Sequence, residues 1–173
     1  MRVCVCVCSG NKVNIDVIPG PTAIARQESR GISWRGCAHF EGGEGVEIEI
    51  PYRESLELTE TFTVEAWVKP GESTANVLPI VTRKIDMGDM SLTPFSLQLG
   101  YPGECGTSTL VLHMDNAEMT RGILLSGGTV NRLAWTHVAA TKVGSNITLF
   151  VNGEAVAQGA LQGEAVSAMQ SSL

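Results

Sequence analysis

The sequence predicts an all-β protein: a two-sheet antiparallel sandwich. Three observations carry this. Short segments alternate apolar and polar residues at period two, the mark of a half-buried strand. In Thr61–Pro70, for example, Phe62, Val64, Ala66 and Val68 fall on one side. Turn residues recur between these segments, with 19 glycines along the 173-residue chain. Almost no stretch carries a 3.6-residue apolar period, and no repeat of about 40 residues points to a propeller.

Taken in order, residues 3–8 alternate Val and Cys and read as a strand, as does Val13–Ile18, ended by Pro19-Gly20-Pro21. The two suit a hairpin. Residues 22–31 show no clear period. Cys37–Phe40 is a short apolar piece, and Glu41–Gly45 is a turn before the alternating Val46–Ile50. Thr61–Lys69 is the best-defined strand, stopped by Pro70 and Gly71. Val77–Arg83 is a strand that Pro79 assigns to an edge or a bulge, because Pro cannot donate to a ladder. Residues 84–93 read as a long loop. Phe95–Leu99, Thr109–Met114 and Arg121–Ser126 are further strands, with Tyr101–Glu104 a turn. Trp135–Thr141 and Ile147–Val151 form a hairpin about Val143–Asn146. Asn152-Gly153 then makes a tight turn, since both residues tolerate positive φ. Glu154–Ala157 pairs back. Three segments follow: 1–31 as an N-terminal hairpin or extension, 32–158 as the sandwich, and 159–173 as a tail or short helix.

Composition narrows the function. At 43% hydrophobic residues the chain can build a core. A net charge of -6 without a basic cluster argues against a nucleic-acid partner. No apolar run reaches the ~20 residues of a membrane span. The N-terminal apolar stretch is too short for a clear signal peptide. Five cysteines, an odd number, do not form a complete disulfide framework. Cys4, Cys6 and Cys8 lie in a line along one strand face, which suits one tetrahedral metal ion poorly. Cys37 and Cys105 read as a bridge or as two buried thiols.

Three motifs occur in order. They are Ala-His-Phe-Glu-Gly-Gly-Glu-Gly-Val-Glu-Ile-Glu-Ile-Pro from Ala38, Thr-Phe-Thr-Val-Glu-Ala-Trp-Val-Lys-Pro from Thr61, and Trp-Thr-His-Val-Ala-Ala-Thr from Trp135 with Ile-Thr-Leu-Phe-Val-Asn-Gly-Glu-Ala-Val-Ala from Ile147. Together, over about Gly36 to Ala157, they resemble the laminin G-like domains of the concanavalin A-like lectin/glucanase superfamily. The resemblance implies a jelly roll of two curved sheets, often extracellular, often binding a glycan or a protein, sometimes with calcium. Two departures stand out. Glu41 and Glu44 occupy positions where the family has Asp, which changes their reach. The usual last strands find no match after Ala157, so the jelly roll is expected to lack them. Residues 3–18 or a second chain would fill that edge, and an open edge invites homo-oligomers.

The candidate sites follow. Glu41 and Glu44 are the metal-ligand candidates for calcium, with Asp86, Asp89, Asp115 and Asn116 as further loop oxygens. Tyr101, Asp115 and Asn116 are the ligand-binding candidates. Trp34, Tyr52, Tyr101 and Trp67 are aromatics able to stack on sugar rings, but Trp67 and Trp135 belong to strands and read as core. Glu47 and Glu49 lie about 7 Å apart on one strand face, within the range of an inverting glycosidase pair. The resembling strand nevertheless turns these positions to solvent. His39, His113 and His137 have no nucleophile or acidic partner in view and read as sheet residues. Asn146-Ile147-Thr148 is a glycosylation sequon. The expectation is a non-enzymatic recognition module that binds a glycan or protein through the loops of the sandwich. An assembly domain joined through a sheet edge comes second, and a glucan hydrolase using Glu47 and Glu49 is a distant third.

Overall fold

The structure, a computed structural model, describes residues 2–8, 38–39, 58–71, 77–100 and 108–167. Ten strands run through them: β1 (Arg2–Cys8), β2 (Ala38–His39), β3 (Thr61–Lys69), β4 (Leu78–Asp86), β5 (Ser91–Leu99), β6 (Thr109–Asp115), β7 (Arg121–Thr129), β8 (Thr136–Val143), β9 (Asn146–Val151) and β10 (Glu154–Ala160). No helix occurs among the described residues. The strands form two antiparallel sheets, one in the order β10-β9-β8-β3-β1-β2 and the other β4-β5-β6-β7. This is the two-sheet sandwich that the alternation predicts. β1 lies between β3 and β2, paired with β3 from Arg2↔Lys69 to Cys8↔Thr63. The strand expected at residues 13–18 lies outside the described residues.

Period two decides which residues enter the core. The larger sheet turns Phe62, Val64, Val68, Val138, Ala140, Ile147 and Leu149 inward; the smaller turns in Phe95, Leu97, Leu99, Leu110, Leu112 and Met114. Phe62 and Phe95 meet edge to face across the layers, with ring centroids 5.5 Å apart, a favoured aromatic geometry. The same parity carries Lys142 inward, where it is 4% exposed. Its Nζ donates to the Thr59 carbonyl. Burial lowers its pKa, while the nearby Glu60 carboxylate opposes that shift.

The sheets approach closely where β7 meets β10, and glycines permit it. A Cβ on Gly127 would stand 2.6 Å from the Val156 carbonyl oxygen, and one on Gly159 would stand 2.9 Å from Ile123.

Several local readings change. Residues 84–93 are not a long loop: β4 runs to Asp86 and β5 begins at Ser91, so a short loop joins them, closed by a hydrogen bond from Met87 N to Met90 O at 2.9 Å. Gly88, at φ 80°, absorbs the reversal. β4 is an edge strand with a register shift at Pro79/Val81, combining the two outcomes expected of Pro79. β10 extends to Ala160, beyond the expected Ala157. Residues 161–167 neither form a helix nor fray. Leu161 and Val166 are buried, and Ala165 bridges to Asn116.

Candidate functional site

The outward residues of the larger sheet form ordered rows. Thr63, Thr141 and Thr148 align in one row, and Glu65, Ala139 and Phe150 in the next. Trp67 lies opposite His137 one row further on, with Cys4 its register partner on β1. The expectation that Trp67 and Trp135 belong to the core is overturned: each is 41% exposed. The reason lies in the parity of β3, which sends Val68 inward and therefore Trp67 outward. Trp135 directly precedes β8 and stays outside the buried cluster.

His137 is held from several sides. Its backbone N–H donates to Asn152 Oδ1 at 3.0 Å, and its carbonyl accepts from Asn152 N at 2.8 Å. Asn152 and Gly153, at φ 52° and 83°, make the tight turn between β9 and β10, as the Asn-Gly pair predicts. The imidazole lies beside the Trp67 indole at 5.4 Å between ring centroids, tilted by 54°. Its Nε2 is 3.4 Å from Glu65 Oε2. Glu65 is thus the acidic partner that the linear sequence does not reveal, because β3 and β8 are 66 residues of chain or more apart. A half-exposed indole edged by an imidazole, with a carboxylate bonded to that imidazole, can take an apolar ring face while the polar groups exchange hydrogen bonds.

The residues expected from sequence fare differently. Glu41, Glu44, Glu47, Glu49, Trp34, Tyr52 and Tyr101 lie outside the described residues. Asp115 is placed at the end of β6, where Oδ2 accepts from Thr93 N at 2.7 Å and Oδ1 lies 3.0 Å from His113 Nε2. Pro94 has no N–H, and the β5–β6 pairing stops at Ser96↔His113, so the Asp115 carboxylate takes the place of a ladder partner. His113 therefore does have an acidic partner, two residues along its own strand. Asn116, expected to meet a ligand, is 3% exposed. Its Oδ1 accepts from Thr120 N and Thr120 Oγ1, each at 2.9 Å, and its Nδ2 donates to Gln162 O at 3.0 Å. Its amide is thus committed to the fold rather than to a ligand. Among the described residues no three His, Cys, Asp or Glu side chains are grouped to hold a metal ion. No described helix is long and apolar enough to cross a membrane.

No curated protein matches the chain. A laminin G family model, described as concanavalin A-like lectin/glucanases superfamily, matches residues 41–173. The match takes in most of the chain and agrees with the antiparallel two-sheet architecture and with the order of the strand motifs. The chain therefore belongs to the laminin G-like family of the concanavalin A-like lectin/glucanases superfamily.

Proposed function

We propose that the protein is a non-enzymatic recognition module that acts outside the cell. It binds a glycan on the outer face of its larger sheet. The observation that carries this reading is the exposed Trp67 indole beside the Glu65–His137 pair. A sugar ring has an apolar C–H face that stacks on an indole and hydroxyls that pair with carboxylate, imidazole and threonine groups. Phe150 lies two strands away, about 10 Å across the sheet, and widens the surface beyond one ring. This proposal moves the ligand from the sandwich loops to a sheet face, since Asn116 and Asp115 are engaged by the chain itself.

A broad glycan array tests it, with the native chain beside Trp67→Ala and each repeated in a calcium chelator. The native chain is expected to retain defined glycans. Trp67→Ala is expected to lose about thirtyfold in affinity, the effect of ~2 kcal/mol at an aromatic anchor. Equal binding by both proteins rejects the face. Binding abolished by chelator returns the site to Glu41 and Glu44.

A further inference from the structure

Asn146-Ile147-Thr148 is a sequon that the recognition reading does not use. We propose that Asn146 is an acceptor for an N-linked glycan. No other asparagine of the chain is followed by a residue and then Ser or Thr. The fold presents this one well. Gly144 at φ 59°, followed by Ser145, makes a two-residue hairpin turn with Gly first, the type II′ arrangement, and Asn146 is the first residue of β9. Asn146 is exposed, while Ile147 points into the core at 1% exposure. Thr148 therefore lies on the outward face with Asn146. The flanking positions are open: Val143 is 64% exposed, no atom lies within 4 Å of a Cβ built on Gly144, and the register partner on β10 is the small, exposed Ala160. A bulky, solvated chain can grow from this site without displacing any core residue.

The donor would be an oligosaccharide linked to a lipid diphosphate in a eukaryotic secretory compartment. The Asn146 Nδ2 forms a bond to the anomeric carbon. The bond from that carbon to the diphosphate oxygen breaks, the lipid diphosphate leaves, and the transferase takes the amide proton. Nothing is oxidised or reduced. Along β8, Val143 opposite Asn146 is six residues from His137, roughly 20 Å at strand rise. The attached glycan therefore sits at the far end of the face from Trp67. The inference rests on the extracellular setting of the proposed function but not on its ligand.

The test is to express the full chain behind a secretion leader in a eukaryotic host and measure intact mass before and after peptide N-glycosidase. The expected result is a glycan-bearing chain that loses its extra mass on digestion, with Asn converted to Asp at position 146 in the tryptic peptide. Asn146→Gln and Thr148→Ala should lack the extra mass, and Thr148→Ser should keep it. An unmodified native chain, whether secreted or retained in the membrane fraction, overturns the proposal, as does a glycan found only elsewhere. The mapped peptide comes from the native chain, so the result stands even if a variant fails to fold. Trp67→Ala should carry the glycan at Asn146 normally, which separates this outcome from failure of the recognition reading.

Discussion

Asn116 Nδ2 donates to the carbonyl of Gln162 at 3.0 Å, joining the β6–β7 turn to a segment 46 residues further along the chain. The contact is one of several. Ala117 N donates to Glu164 O at 2.8 Å, and Gln162 N donates to Gly122 O at 3.0 Å. Gly163, at φ 77°, passes so close that a Cβ there would lie 3.0 Å from Asn116 Nδ2. The segment after β10 is thereby held against the turn rather than left loose.

Replacing Asn116 with Ala should cost the fold about 1–3 kcal/mol, the penalty for leaving buried partners unsatisfied. Urea denaturation measures this as a lower midpoint. Hydrogen exchange should quicken in residues 161–167 before it does so in β8. Unchanged exchange in that segment would show that its other bonds suffice.

Gly127→Ala and Gly71→Ala should diverge. The first forces a methyl group to within 2.6 Å of the Val156 carbonyl oxygen and pushes the sheets apart. A loss of about 1–3 kcal/mol is expected, as for other overpacked sites. Gly71 has no atom within 4 Å of the added carbon, so its substitution should be neutral or stabilise by up to ~1 kcal/mol through the unfolded chain. Thermal melts of the two variants decide the matter.

Asp115→Ala removes the acceptor for Thr93 N, and Pro94 leaves β6 no regular ladder to substitute for it. The loss should be about 1.5–3 kcal/mol, as for a hydrogen bond to a charged group. Asp115→Asn keeps an acceptor oxygen and should recover part of it. Chemical denaturation of both variants at neutral pH gives the comparison.

Lys142 makes stability depend on alkaline pH. Its folded pKa lies below the unfolded value because burial disfavours the ammonium. Between the two values the unfolded chain binds more protons, so stability rises as pH passes the folded value and levels off above the unfolded one, about 10.4. Lys142→Met removes this dependence, although it also leaves the Thr59 carbonyl without its donor. Urea midpoints from pH 8 to about 11.5, a range that spans the unfolded value, should climb less steeply in the variant than in the native chain. Parallel curves would contradict the assignment.

Much of the fold is legible in the residues themselves. The alternation of Phe62, Val64, Ala66 and Val68 marks both β3 and its buried face, and Asn152-Gly153 marks a turn through its backbone preference. Pro79 announces an edge with a bulge. Other expectations change for two different reasons. Trp67 reads as core because it belongs to a strand, yet the parity of that strand points it outward. Asn116 and Asp115 resemble free loop oxygens until the chain segments that bind them are in place.

The sequence by itself determined strand, turn and inward face wherever these depend on neighbours within a few residues, because period two and positive φ are local properties. Only the tertiary structure decided which polar groups were already satisfied and which side chains became neighbours. Glu65, Trp67 and His137 form one site because β3 pairs with β8 in a particular register. That register is set by packing across the sandwich, between residues far apart in the chain.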